Sequence, residues 1–491
     1  MKLVRYPTLY ELNTRVRLSE LARMLGRHAT LDDVTDAELD ALAASGFDIV
    51  WLMGVWQTGE VGRAIAAADG AAAHYRRTLP DFRDSDISGS PFAVREYRVH
   101  ADFGGGDALA RLRTRMRERG LRLMLDFVPN HVASDHPWVT GHPEFFIAGD
   151  EHKLYDAPDN WRRVATPDGE RILAYGRDPF FPGWSDTLQL NYANPALQDA
   201  MLGELRGIAS QCDGVRCDMA MLLLPEVFRR TWGVDPRPFW PHATRALHDA
   251  HPDFTFLAEV YWDLEPTLIE QGFDFAYDKR LYDLLRDRRA APVRANLAAG
   301  AALQDHLAHF LENHDEPRAA ELFEPGPQRA AAVITYFVPG MRFFHAGQRE
   351  GRRVRVPVQL RRAPDEVTDD QLAAFYDRLL ACLAQPVFRD GTWQMLDTAP
   401  AWDGNGTHAD FLAFAWTYGD DRRLVAVNYS DHLSQACVAF PWADADARTW
   451  RLSDELGDAV YDRDATDLAV NGLFLDVPPW AYHVLKVDRL D

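Results

Sequence analysis

Carboxylates, histidines and one arginine gather at the ends of four short apolar runs of this chain. The clusters read Asp126-Phe127-Val128-Pro129-Asn130-His131, Gly214-Val215-Arg216-Cys217-Asp218, Leu257-Ala258-Glu259-Val260-Tyr261-Trp262 and Glu312-Asn313-His314-Asp315. Each closes a run short enough for a buried strand, at residues 121–128, 214–217, 254–257 and 309–311. Functional groups at the carboxyl ends of several parallel strands are how a (β/α)8 barrel builds an active site. Asp218, Glu259 and Asp315 supply three carboxylates, and glycosidic cleavage needs at least two. Arg216 lies two residues before Asp218, so on a strand the two side chains share a face. The guanidinium would keep that carboxylate ionised and oriented, which makes Asp218 the nucleophile candidate. Glu259 would be the general acid, its pKa raised by neighbouring carboxylates, and Asp126 would brace Arg216 from the next strand. Each residue alone also has a plainer reading. A strand-end carboxylate is often a cap or salt bridge, Asn313-His314-Asp315 suits a turn, and Cys217 suits a small core filler.

The elements that must position these groups alternate as a barrel requires. Residues 9–16 read as strand one. Thr35 with Glu38 forms a capping box, opening a helix with Leu39 and Leu42 on one face. Residues 48–55 read as strand two. Leu109, Leu112 and Met116 put a helix over 107–119, which Gly120 ends. Strand three then runs to Val128. Asn194-Pro195 caps a helix with Leu197, Met201, Leu205 and Ile208 as its buried stripe, leading to strand four. Strands five to eight fall near Phe254, Phe273, His309 and Arg342. Between His131 and Asn194 the periodicity lapses in a segment rich in Pro, Asp, His and Trp, and loops of this length are usually functional. Beyond Phe388 the runs alternate as in an antiparallel β-sandwich. The expected domains are a (β/α)8 TIM barrel over 1–131 and 195–388, an insertion after strand three over 132–194, and a C-terminal antiparallel β-sandwich over 389–491.

Composition sets limits. A chain of 491 residues suggests two or three domains, and 47% hydrophobic residues allow a large core. A net charge of −21 argues against nucleic acid, whose phosphates need a basic surface. No apolar h-region opens the sequence and no run approaches membrane-spanning length. The four cysteines lack metal-site spacing and fit reduced thiols, so the expected compartment is the cytoplasm.

Taken together, the four clusters resemble the conserved regions of the α-amylase family of glycoside hydrolases. Thr187-Leu188-Gln189-Leu190-Asn191 resembles the motif that closes that family's B domain. Val50-Trp51-Leu52-Met53-Gly54-Val55 matches its second strand, and the stretch from Gly340 to Gln348 its eighth. The matches run in the family's order from about Tyr10 to Gln348. The resemblance implies a retaining hydrolase of α-glucosidic bonds acting by double displacement on an α-linked glucose oligosaccharide or glucoside. It implies that Asp315 helps distort the sugar and stabilise the transition state. His131 and His314 match the paired histidines that bind hydroxyls of the ring being cleaved. Phe92 matches the stacking position of the first subsite, usually Tyr. Trp262, three residues after Glu259, would floor the leaving-group subsite. No cofactor is required for the chemistry; Asn130 matches a common ligand of structural calcium, with Asp150, Asp156, Asp159 and Asp178 nearby in sequence. One departure is Met221-Leu222, where starch-cleaving relatives often carry a Lys-His pair. A small or partly apolar aglycone is therefore expected. Two alternatives stay open: a transglycosylase of the same architecture, and a non-enzymatic binding relative, which should have lost a carboxylate.

One feature lies outside the resemblance. Arg349, Arg352, Arg353, Arg355, Arg361 and Arg362 fall directly after strand eight of an acidic chain. Salt bridges to nearby Asp and Glu are the plainer expectation. Recognition of an anionic, phosphorylated substrate is the sharper one, since arginine matches phosphate geometry.

Overall fold

The computed structural model describes residues 3–68, 72–299, 301–442 and 448–490. Eight parallel strands close a barrel in sequence order: Thr8–Asn13, Ile49–Met53, Arg122–Phe127, Gly214–Cys217, Thr255–Ala258, Phe275–Tyr277, Leu307–His309 and Met341–His345. They are numbered one to eight below. Strand two is apolar and buried at every position, as expected where both faces of a parallel sheet are covered.

Strand one ends earlier than the sequence suggests. The Asn13 side chain accepts from the Val16 amide at 3.2 Å and caps a helix over Thr14–Leu25, so residues 14–16 are helical. The capping box at Thr35 is only half made. Thr35 accepts from the Glu38 amide at 3.2 Å, while the Glu38 carboxylate binds Arg17 at 2.7 and 2.9 Å. The helix over Gly105–Glu118 buries Leu109, Leu112 and Met116 and ends before Gly120, at φ 78°. The helix over Pro195–Ala209 is capped by Asn194 and buries Leu197, Met201, Leu205 and Ile208.

Two excursions leave the catalytic end of the barrel. The first, between strands two and three, pairs Trp56–Thr58 with Val94–Val99 and carries two short helices and Phe92. The second follows strand three. It pairs His131–Ala133 with Thr187–Gln189 and holds a hairpin of Trp161–Thr166 and Gly169–Ala174. Beyond Thr392 a six-stranded and a three-stranded antiparallel sheet share a second core. The strand Phe411–Tyr418 is buried on both sides. Leu412, Phe414 and Trp416 pack into the barrel's core, and Phe411, Ala413 and Ala415 into the core between the sheets. Trp416 also donates its indole N–H to the Phe337 carbonyl at 2.7 Å.

Candidate active site

Arg216 is the centre of the site. It is fully buried at the end of strand four, with its guanidinium carbon 5.2 Å from the ring centroids of Trp51 and Phe92. Nη1 donates to Asp218 Oδ1 at 2.6 Å and Nη2 forms an ion pair with Glu259 Oε2 at 2.6 Å, while Nε donates to the Tyr277 hydroxyl at 3.3 Å. One guanidinium therefore faces two carboxylates, and a single positive charge cannot compensate two negative ones. Burial pushes both carboxyls up, and Arg216 opposes it in each. Glu259 reaches about 7, with the charges of Asp218 and Asp315 adding to the rise. Glu259 Oε2 also accepts from the Met219 amide at 2.7 Å, and Oε1 from the Tyr261 hydroxyl at 2.8 Å. Oε2 already faces the Arg216 cation and the Met219 amide, so the carboxyl proton belongs on Oε1. Met219, directly after Asp218, takes the left-handed conformation at φ 43° that is rare outside glycine. That turn aims its amide back at Glu259.

A second set of charges adjoins the first. His314 Nδ1 lies 2.5 Å from Glu11 Oε1, and Nε2 lies 3.0 Å from Asp315 Oδ2. Burial opposes charge on this imidazole, yet Asp315 and Glu11 outweigh it and raise its pKa well above the ordinary histidine value. Asp315 stands half exposed at the cleft mouth. Desolvation would raise its carboxyl, but His314, Arg216 and Arg355 hold it at about 2. Behind Glu11 the network continues through His345 to Glu312 at 3.4 Å and from Glu312 to Arg318 at 2.5 Å. Phe92 stacks on His314 at 5.2 Å between centroids.

His131 sits on the other side, in apolar surroundings. Burial lowers its pKa to about 4, and its ring lies 5.0 Å from that of Trp184. Asn130 does not present a free carbonyl oxygen: its Oδ1 accepts from Gln189 Nε2 at 3.0 Å, and its Nδ2 donates to Gln189 Oε1 at 3.2 Å. Asp150 caps a helix, Asp156 lies 2.8 Å from His152, and Asp178 accepts from the amides of Phe180 and Phe181. These residues do not fit the six to eight oxygens that calcium takes. Among the described residues no three of His, Cys, Asp and Glu are grouped to hold a metal ion.

Asp126 is beside Arg216 in register, but its carboxylate accepts from Trp51 Nε1 at 3.0 Å and the Gly54 amide at 2.6 Å. Its hydrogen bonds fix strand two, and it supports Arg216 through charge alone. Met221 and Leu222 are buried in a 3-10 turn over Ala220–Leu223 and belong to the core beneath the site. Trp262 stands at the rim, 40% exposed, edge-on to Phe180 at 5.0 Å. Four of the six arginines are paired: Arg349 with Asp377, Arg352 with Glu20, Arg353 with Glu321, and Arg362 with Asp81 and Asp86. Arg355 donates to the Asp315 carbonyl at 2.5 Å. Glu11, Tyr261 and Tyr277 were not singled out from sequence. The signal for Glu11 was an acidic residue within an apolar strand, and for Tyr261 a hydroxyl two residues beyond the proposed acid.

A parallel barrel with three carboxylates at its carboxyl end has the groups that glycosidic cleavage needs. Residues 31–271 match the family model described as "Alpha amylase, catalytic domain". That segment, just under half of the chain, is similar to the catalytic domain of the α-amylase family. The chain is 28% identical over 272 residues to the trehalose synthase/amylase TreS of Mycolicibacterium smegmatis, covering 48% of this chain and 44% of that one. It is also 28% identical over 326 residues to an α-1,4-glucan:maltose-1-phosphate maltosyltransferase of Burkholderia pseudomallei, covering 63% of this chain and 24% of the other. The chain thus spans less than half the length of either relative. The maltogenic α-amylase AmyB of Thermotoga neapolitana superposes over all of both chains with a TM-score of 0.71 at 20% identity, a likeness of fold.

Proposed function

We propose that the protein cleaves α-glucosidic bonds with retention, with Asp218 as nucleophile and Glu259 as acid and base. The observation that carries this reading is the single guanidinium shared at 2.6 Å by both carboxylates, with Glu259 held near 7. Asp218 Oδ1 is taken by Arg216, and Oδ2 carries no hydrogen bond among the described residues. In the first step Oδ2 attacks the anomeric carbon as the glycosidic C–O bond breaks. The proton on Glu259 Oε1 passes to the leaving oxygen. In the second step the ionised Glu259 takes a proton from water, whose oxygen attacks the same carbon and releases Asp218. Two inversions give net retention. Asp315, charged and fixed by His314, faces the positive charge that develops on the sugar ring.

An acceptor hydroxyl entering in place of water would turn the same intermediate into a transfer product. The substrate class we infer is an α-linked glucose oligosaccharide or glucoside. The relatives named above act within that chemistry by their names, and the partly buried ring of Phe92 suits a sugar face. No helix among the described residues is long and apolar enough to cross a membrane. We place the protein in the cytoplasm, a reading supported by four free cysteines. The test is incubation with maltooligosaccharides, isomaltose, trehalose and sucrose, with NMR of the first minutes of turnover. The α-anomer should form first. Initial β-product, or no cleavage of any α-glucoside, would overturn the assignment.

A further inference from the structure

Away from the carboxylates, a cavity of about 220 Å3 opens between the first excursion and the loop after strand eight. Its lining includes Arg15, Thr58, Arg63, Ser88, His100 and Arg361. Pockets for drug-sized ligands run to about 300–1,000 Å3, so this one suits a group of a few heavy atoms. Arg15 is buried, and its guanidinium meets only neutral acceptors: the Gly89 carbonyl at 2.6 Å and the hydroxyls of Ser88 and Thr58 at 3.0 Å. Its Nε makes no hydrogen bond among the described residues. A buried cation without an anion is costly, and burial, with Arg361 adding to it, pulls the Arg15 pKa down to about 10. Arg361 has no side-chain hydrogen bond or ion pair among the described residues, whereas Arg349, Arg352, Arg353 and Arg362 of the same run each have one. The acids at this cavity lie with other partners, Glu60 with Arg63 at 3.6 Å and Asp102 with His100 at 3.9 Å. Two guanidinium groups therefore border one small space with no carboxylate bonded to either.

We propose that this cavity binds an oxyanion of the phosphate class between Arg15 and Arg361. Planar guanidinium forks match phosphate oxygens, and barrel enzymes often bind phosphate near the last strands. The site also reaches the active centre. The Arg361 amide donates to the Asp86 carbonyl at 2.9 Å, the Ser88 amide to the Gln359 carbonyl at 2.8 Å, and Arg15 holds Gly89. Residues 86–89 lead directly to Phe92, which stacks on His314. An anion here braces the segment that places that ring.

The test is isothermal titration calorimetry of the full chain with inorganic phosphate and, separately, with glucose 6-phosphate, a sugar ester that is not a glycoside donor. Wild type should bind saturably. Arg361→Ala should weaken binding by about tenfold or more, as expected for losing a charged hydrogen-bond donor, and Arg361→Lys should fall between. Arg361→Gln replaces Ala if circular dichroism shows that Ala does not fold. Arg352→Ala, whose side chain pairs with Glu20, should bind as wild type does. Tighter binding of glucose 6-phosphate would identify a sugar ester as the ligand, and equal binding free phosphate. No saturable binding to wild type, unchanged binding in the Arg361 variants, or loss in Arg355→Ala instead would overturn the proposal.

Discussion

On one side of the cleft, where strands one, seven and eight end, His314 lies between Glu11 and Asp315. On the other, where the second excursion leaves strand three, His131 lies against Trp184 and away from any acid. The two histidines match the same family pair in sequence, and the protein gives them opposite character. The anions around His314 favour the imidazolium. Desolvation keeps His131 neutral down to about pH 4. A neutral ring can both donate and accept toward a sugar hydroxyl. An imidazolium held by Glu11 instead pairs with Asp315 at the cleft mouth. Residue type therefore does not define the role; the neighbouring charges do.

The largest expected effects fall on the charged side. Asp218→Asn and Glu259→Gln should each lower kcat by several orders of magnitude while the fold persists, because each acts in the transition state itself. Steady-state kinetics with circular dichroism checks this, and a folded variant keeping about a tenth of the activity would refute its assigned role. Next comes Glu11→Gln, which removes one of the two anions holding the His314 proton. A loss of about 10- to 100-fold in kcat is expected from a charge-assisted hydrogen bond. His131→Gln should instead raise KM a few fold and leave kcat nearly unchanged. Equal kcat losses in the two variants would dissolve the contrast between the two sides.

The pH dependence is smaller and has a definite sign. Glu259 must be protonated to act as acid, so activity should decline as pH rises through about 7. Tyr261→Phe removes a donor to the ionised carboxylate, which should move that limb upward, while His131→Gln should leave it in place. The same residue links to stability. Its folded pKa lies above the unfolded one, so its contribution is complete below about 4.3 and is lost as pH rises through about 7. Glu259→Gln should therefore gain melting temperature over wild type as pH rises from 5 to 8. A constant difference would show that Arg216 fully compensates the ionised form.

Much of the catalytic centre was legible because strand-end position and two-residue spacing are local signals. Arg216 and Asp218 share a strand face in any barrel. Glu11 was missed because its partner is 303 residues away, and the apolar run around it reads as plain core. The early end of strand one was hidden by a cap, since Asn13 looks like one more strand residue until its side chain meets the Val16 amide. The first excursion escaped notice for a related reason: a three-residue strand pairing across some forty residues leaves almost no periodic trace. Trp262 and Met221 show the limit of such signals. Nearness in sequence to a catalytic carboxylate does not say whether a side chain turns toward the cleft, into the core or out to the rim.

The strand Phe411–Tyr418 carries apolar side chains on both faces, one set sunk in the barrel and one in the sandwich. Such a strand leaves no dry seam along which the two parts could separate. Cutting the chain before Thr392 would strip Leu412, Phe414 and Trp416 from the barrel and leave the Phe337 carbonyl without its indole donor. The C-terminal sheets are thus structural ballast for the catalytic half, and the two should melt in a single calorimetric transition. Attempts to graft this barrel onto another partner will need to supply a replacement for that wall.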